Sequence, residues 1–298
     1  MNAKTRPRSF YLLAGFFVLF VVFLYGPMFS IVLLSFQGPQ GGLTFPMNGV
    51  SLHWFSKLLE GIGVVDIWGA FRRSLRLGLV VMVITVVFSL SAGLAFRKKL
   101  VGSGVLFYAV VSSLIMPSIV VSLGIALEFR LLDATIVTVA QWLGWSTENF
   151  TTSLDLFTSA LGAQLTWTLP FGLLIMFAVF NRFDPTYEEA ARDLGASAAQ
   201  TLRYVLLPIT APSLVGIALF GFTLSYDELA RTSQVAGSLN TLPLELEGLT
   251  TTVTTPVVYA LGTLTTGLSL LVIAVSLLLV WLMRRRQARH GSDAGMGV

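Results

Sequence analysis

Residues 184–208, DPTYEEAARDLGASAAQTLRYVLLP, form the one long polar, helix-competent stretch in a chain whose other long segments are apolar enough for a membrane. Thr186 to Glu189 has the S/T-x-x-E form of a capping box, in which hydroxyl and carboxylate each satisfy an amide of the first turn, and this predicts a helix starting there. Gly195 tolerates the left-handed backbone that ends a helix, and Ser197 to Gln200 repeats the capping pattern two residues later. The stretch therefore reads as helix, glycine corner, helix. Pro208 opens the next apolar run, where its missing amide costs little in a first turn. A polar helical pair set between apolar runs reads as a docking element.

The rest of the chain supplies the setting. It is 55% hydrophobic and only 11% charged, against roughly a quarter charged in a soluble domain, which makes it an all-α integral membrane protein. A net charge of +4 would suggest nucleic acid in a soluble chain; in a membrane protein Lys and Arg record which side each loop occupies, and no nucleic-acid partner is expected. The absence of cysteine excludes disulfides, thiol nucleophiles and thiolate metal sites, and His53 and His290 alone cannot build a multi-histidine metal site.

Six transmembrane helices are predicted, at about 10–36, 77–96, 105–127, 156–180, 209–226 and 257–283. The first follows Lys4, Arg6 and Arg8 and is about twice the length of a signal-peptide core, with no A-x-A cleavage site after it, so it reads as a span. Residues 38–69 form a Gly- and Pro-rich loop, with a short interfacial helix near 50–59 whose Trp54 and Phe55 are expected at headgroup level. The run 77–96 is uncharged and has the length that crosses a hydrocarbon core of ~30 Å, and Arg97, Lys98 and Lys99 stop it. The third span contains Pro117, which permits a kink only where neighbouring groups repair the bonding. Residues 134–145 are apolar but too short for a span and fit a re-entrant or interfacial segment. The fourth span carries Gln164, Thr166, Thr168 and Pro170, polar groups that face either other helices or water. The fifth and sixth carry Gly with Ser or Thr, which allow close helix packing.

With a cytoplasmic amino terminus, six spans place thirteen of the nineteen basic residues inside and leave Lys57, Arg72, Arg73, Arg76, Arg130 and Arg231 outside. Both termini and the stretch 184–208 are thus expected in the cytoplasm. Arg72, Arg73 and Arg76 run against the rule; they mark either an amphipathic segment at the surface or side chains that snorkel to headgroups. Three regions follow: residues 1–70, an N-terminal helix and periplasmic loop; residues 71–283, the membrane core; and residues 284–298, a cytoplasmic tail.

No phosphate-binding G-x-x-x-x-G-K-[ST], H-E-x-x-H or G-x-S-x-G pattern is present, and the spans carry almost no ionisable residues, so no catalytic residue is assigned. The chain has no energy source of its own. It reads as a pore-forming subunit that takes its energy from a partner at 184–208; the other class of reading is a non-transporting scaffold that recruits a partner through the same stretch.

Glu189-Ala190-Ala191, three residues, Gly195, nine residues, then Val205-Leu206-Leu207-Pro208 resembles the EAA-x3-G-x9-I-x-L-P signature of permease subunits of type I binding-protein-dependent ABC importers, with Val205 in place of Ile. The resemblance covers the spans after the first. It implies that residues 188–202 form a coupling helix received by an ABC ATPase dimer, with Glu188, Glu189, Ala190, Ala191, Asp193, Gly195, Leu207 and Pro208 in the coupling role. It also implies a prokaryotic inner (plasma) membrane, an extracytoplasmic substrate-binding protein, and ATP and Mg bound by the ATPase, with no cofactor in this chain. Six spans are too few to enclose a path alone, so a second permease subunit is expected, and the resemblance implies a homologous, non-identical one.

Ser225-Tyr226-Asp227-Glu228 followed by Thr241-Leu242-Pro243-Leu244 resembles the pattern of the spermidine/putrescine branch, which also includes importers of opines, other amino-acid derivatives, aminophosphonates and ferric iron. Asp227 and Glu228 are expected at the outer end of the fifth span, where they would steer or hold a cation, or else cap or pair with Arg231. With Tyr226, Gln164 and Trp167 they are the candidate residues of a substrate path.

Overall fold

The computed structural model describes residues 8–61, 66–97, 102–252 and 255–289, and every extended regular element among them is a helix. Lys4, Arg6, Lys98, Lys99, His290 and the last eight residues of the predicted tail lie outside the described residues. The chain divides into two units, one built from the residues up to Asp66 with Leu246–Leu268, the other from Ile67–Glu245 with the residues from Ser269 onward.

In the first unit, α1 (Arg8–Leu34) is apolar throughout and, at 27 residues, is about 40 Å long. Only 6% of its apolar window is buried, so its side chains face outward, as lipid contact requires. The loop after it is organised by Gln37, fully buried, whose Oε1 accepts the Asn48 amide at 2.7 Å while Nε2 donates to the Gly42 carbonyl at 3.3 Å. The short helix α2 (His53–Glu60) lies where it was expected, but Trp54 is only 9% exposed instead of standing at headgroup level. The i, i+4 spacing of Trp54 and Leu58 turns both to one buried face of α2. Phe55 packs on Phe36 at 5.2 Å.

The second unit begins with α3 (Ile67–Phe96), which starts ten residues before the predicted span, so Arg72, Arg73 and Arg76 are helical. Arg73 Nε donates to the Asn240 carbonyl at 2.8 Å. Then come α4 (Ser103–Ser112), α5 (Ser118–Trp142) and α6 (Leu161–Asn181), the last preceded by a π-helical turn at Leu156–Ala160. The polar stretch contains α7 (Thr186–Asp193) and α8 (Ala198–Thr201), and a second π-helical turn, Leu202–Leu206, leads without a break into α9 (Leu207–Tyr226). The helices α10 (Leu242–Thr252) and α11 (Val257–Arg289) contribute residues to both units.

Five helical runs among the described residues are long and apolar enough to cross a membrane: Arg8–Leu34, Ile67–Phe96, Leu156–Asn181, Ala198–Tyr226 and Val257–Met283. They account for five of the six predicted spans. The third, 105–127, is not a single helix: α4 ends at Ser112 and α5 starts after Pro117, whose extended backbone (φ −56°, ψ 130°) cannot continue a helix. Proline bars the helical region to the residue before it and removes its own amide, so it breaks this span instead of kinking it. The segment 134–145 is correspondingly no separate re-entrant element, because its residues to Trp142 form the second half of α5. Glu128, Arg130 and Asp133 interrupt the apolar run there, but charges do not interrupt a helix; Asp133 instead accepts the Ser153 amide at 2.8 Å and the Thr152 hydroxyl at 2.7 Å.

The core of this unit is the packing of α3, α6 and α9, and it depends on small residues. A β-carbon on Gly93 would stand 2.9 Å from Met176 and from the Phe180 ring, one on Gly78 3.3 Å from the Phe222 ring, and one on Gly172 would collide with Ser89 Oγ. Helices that cannot be driven together by a hydrophobic difference from their surroundings gain instead from such close approach and from interhelical hydrogen bonds. The buried Thr85 and Thr168 hydroxyls bond at 2.8 Å at the same interface. Met176, Phe180, Leu206 and Ile217 fill the apolar cluster at one end, and Leu77, Val81, Leu156 and Ala163 belong to the cluster at the other.

Gly172→Ala is expected to lower the thermal midpoint of the detergent-solubilised protein, by a destabilisation of about 1–3 kcal/mol from overpacking. Gly162→Ala, on the same helix but with open space at its β-carbon, is expected to leave it unchanged or raise it, since alanine favours helix over glycine by roughly 0.5–1 kcal/mol. Differential scanning fluorimetry of the pair checks the contrast.

Candidate functional site

The stretch 184–208 has the predicted helix, corner, helix form, with one change of cap. The expected Thr186–Glu189 box is not formed; Asp184 Oδ1 accepts the Thr186 amide at 3.0 Å instead. Pro185 is already in helical conformation (φ −65°, ψ −17°), which moves the helix start upstream and hands the orphan amide to Asp184. That hydrogen bond favours the carboxylate and holds the Asp184 pKa below its ordinary value. At the other end Gly195 takes φ +83°, with Gly195 N bonded to Arg192 O at 2.8 Å and Ala196 N to Ala191 O at 3.0 Å, the paired closure of a Schellman motif. The second box is present as expected: Ser197 Oγ accepts the Gln200 amide at 3.3 Å and Gln200 Oε1 accepts the Ser197 amide at 2.8 Å. Pro208 lies in the first turn of α9, and the π turn before it widens the ladder where proline cannot donate.

Helix α7 has two distinct faces. Glu188 turns inward, its side chain only 15% exposed, and its Oε1 lies 2.5 Å from Arg97 Nη2 at the end of α3. The Arg97 guanidinium sits over the rings of Phe180, at 4.9 Å, and Phe183, at 5.1 Å. Arg192, one turn on, approaches the other Glu188 oxygen at 3.4 Å. Glu189, Ala190, Asp193 and Leu194 face outward, Leu194 with 89% of its surface exposed beside the Gly195 corner. Beneath the helix is a cavity of about 840 Å³ lined by Leu94, Arg97, Glu188, Arg192, Leu202 and Leu206 among others. Leu207 is half-buried and Pro208 exposed. The role of Arg97 was missed from sequence, where it only ended a span; nothing local links it to a glutamate so far along the chain.

The second cluster surrounds the end of α9. Tyr226 is buried, its ring stacked on Phe222 at 5.6 Å, and Asp227 is exposed at the helix terminus. Gln164, 1% exposed, uses both ends of its amide between elements: Oε1 accepts the Ser225 hydroxyl and Nε2 donates to Thr232 Oγ1 at 2.9 Å. The end of α9 thus meets the helical run Leu156–Asn181 at Gln164, and Asp227 and Glu228 directly follow the last helical residue of the fifth span, the span end at which they were expected.

The chain then continues as non-helical backbone, its carbonyls and amides bonded by Ser122 Oγ to Arg231 O (2.9 Å), Ser159 Oγ to Val235 O (2.7 Å) and Leu242 N to Ser74 Oγ (2.8 Å). Irregular backbone between spanning helices is tolerated where protein groups satisfy it, as they do here. Glu228 Oε1 accepts the Arg231 amide at 2.8 Å and so caps this turn. The Arg231 side chain is fully buried over Trp167, 4.8 Å from the ring centroid, and donates to Thr166 Oγ1 and, at 3.2 Å, to the Ser113 carbonyl at the break between α4 and α5. Pro170 withholds the amide that would bond the Thr166 carbonyl, and Ser113 Oγ supplies the missing donor at 2.7 Å. Gln164, Trp167 and the acidic pair therefore converge, with Arg231 as the central residue that sequence reading left among the outer-loop charges.

The profile of the family described as "binding-protein-dependent transport system inner membrane component" matches residues 67–289. The spermidine/putrescine transport system permease protein PotC of Haemophilus influenzae is 30% identical over 276 residues, which cover 91% of this chain and 96% of that one. The putrescine transport system permease protein PotI of Escherichia coli is 28% identical over 269 residues, 87% of this chain and 85% of that one. Among solved structures, a bacterial ABC transporter importing the acidic polysaccharide alginate superposes with a TM-score of 0.64 at 14% identity, covering 93% of this chain and 94% of that one. The inward-facing MetNI methionine ABC transporter gives 0.54 at 19% identity, over 78% and 99%. At these identities the solved structures establish a shared fold. The match of the family profile to most of the chain establishes more: this protein belongs to the family of inner-membrane components of binding-protein-dependent transport systems.

Proposed function

We propose that this permease imports a small organic polycation of the putrescine and spermidine class, delivered by an extracytoplasmic binding protein and driven by an ABC ATPase dimer seated on residues 186–202. The observation that carries the reading is the two-faced helix α7, with Glu188 turned inward while Glu189, Ala190, Asp193 and Leu194 stand free beside a left-handed glycine corner. Small and acidic groups on a protruding, capped helix suit insertion into a partner's cleft. ATP and Mg belong to that partner, and this chain's part is to receive the stroke and convey it through the continuous helix Ala198–Tyr226 to Asp227 and Glu228. Both termini are cytoplasmic in this arrangement, which the distribution of basic residues over six spans supports, and a homologous second permease completes the path.

The cargo assignment is supported by whole-length similarity to permeases named for spermidine and putrescine and by the groups at the end of α9. A polyamine's ammonium groups call for carboxylates, and Asp227 and Glu228 adjoin at that end of the helix.

Gly195→Val, which forces a β-branched residue to φ +83°, is expected to leave membrane insertion intact and abolish cargo-stimulated ATP hydrolysis of the assembled complex, whereas Gly195→Asn, whose side chain tolerates that region, retains part of it. Hydrolysis assays in reconstituted vesicles check both. Asp227→Asn combined with Glu228→Gln is expected to slow putrescine uptake about tenfold or more, the worth of one hydrogen bond to a charged group. The amide of Gln still accepts from Arg231, so the turn is kept while the charge is lost. Uptake at the wild-type rate would remove the two carboxylates from the path.

A further inference from the structure

We propose that Arg97 is a positioning residue for energy coupling: it fastens α7 to the inner end of α3, so that a displacement of the docking segment reaches the outer half of the permease along α3 as well as along α9. The inference rests on the reading that 186–202 receives the ATPase.

The helix α7 needs such an anchor. None of its eight residues is buried, although Tyr187 meets the Phe183 ring at 6.1 Å, and the left-handed corner at Gly195 separates it from the long helix Ala198–Tyr226. A stroke delivered to α7 would turn about that corner unless α7 is tied elsewhere. Glu188 provides the tie. Its partner Arg97 follows the last helical residue of α3, Phe96, where a cation also complements the helix dipole. The guanidinium is confined by Phe180 and Phe183, and at 24% and 15% side-chain exposure the pair is partly withdrawn from water, unlike the exposed Lys57–Glu60 pair at 53% and 64%. Arg192 closes on the second carboxylate oxygen, so Glu188 is held from two sides.

The helix so gripped is suited to transmit displacement. It is a single run of 30 residues, about 45 Å long, with Gly78, Ser89 and Gly93 in close contact with α6 and α9 along its length. At its outer end Arg73 Nε holds the Asn240 carbonyl and Ser74 Oγ the Leu242 amide, both at 2.8 Å. Those two residues close the irregular segment that opens with Asp227 and Glu228. One helix therefore grips the docking segment at its inner end and the backbone beyond the acidic pair at its outer end.

The test exploits the absence of cysteine from the chain. In the complete complex of this chain, its second permease, the ATPase and the binding protein, Arg97→Gln is expected to leave ATPase co-purification and basal hydrolysis unchanged while stimulation by cargo-loaded binding protein falls at least about fivefold, the lower end of ordinary coupling between sites. In a second variant, Arg97→Cys with Glu188→Cys, a thiol-cleavable bifunctional linker joining the two positions is expected to restore stimulation, and cleaving it to remove stimulation again. Such reversible restoration is not produced by a residue needed only for folding. Normal stimulation in Arg97→Gln, failure of the bridged variant to regain it, or loss of the ATPase from Arg97→Gln complexes would each overturn the proposal. Failure of the unaltered chain to retain the ATPase would instead overturn the docking reading on which it rests.

Discussion

Close approach of α3, α6 and α9 is the constraint on which the second unit depends. Among apolar surroundings, helices gain from contact only where their surfaces fit, and here fit means the absence of side chains at Gly78, Gly93 and Gly172. The same closeness brings Thr85 to Thr168 and leaves room for hydrogen bonds between elements where larger side chains would have held them apart. The positions of both candidate clusters follow, since α3 and α6 end beside the polar stretch and α9 joins it to the acidic pair.

Prolines decide where backbone polar groups are left over, and the clusters form around those places. Pro117 splits one expected span, Pro170 releases the Thr166 carbonyl, and Pro208 follows a π turn. Ser113 and Arg231 answer the first two vacancies with side-chain donors. A buried arginine held by a hydroxyl, a carbonyl and an indole face is costly in isolation, but here it satisfies groups that would otherwise be orphaned at the break between α4 and α5.

Features governed by short-range rules were legible from the residues alone. The presence of five of the six spans follows from the rise of a helix, the corner from Gly195, and the second capping box from Ser197 and Gln200; with the signature spacing from Glu189 to Pro208 they were enough to identify the family. What escaped depends on long-range contact or on competition between local signals. Whether Thr186 or Asp184 caps α7 turns on the backbone of Pro185, and the continuity of α5 past Asp133 goes with loop groups that donate to its carboxylate. Trp54 looked interfacial because its burial depends on which face of α2 packs inward. The partnership of Arg97 with Glu188 and the burial of Arg231 needed the fold itself.

The division of labour between Glu188 and Glu189 places the connection before α7 under an unusual demand. Successive helical residues are rotated by about 100°, so lengthening or shortening the link between Asn181 and Thr186 by one residue would bring a different side chain to Arg97 and turn Leu194 away from its outward bearing. Between α6 and α7 the chain must count. The phase of one eight-residue helix, set by Asp184 and Pro185, decides which glutamate meets Arg97 and which faces outward.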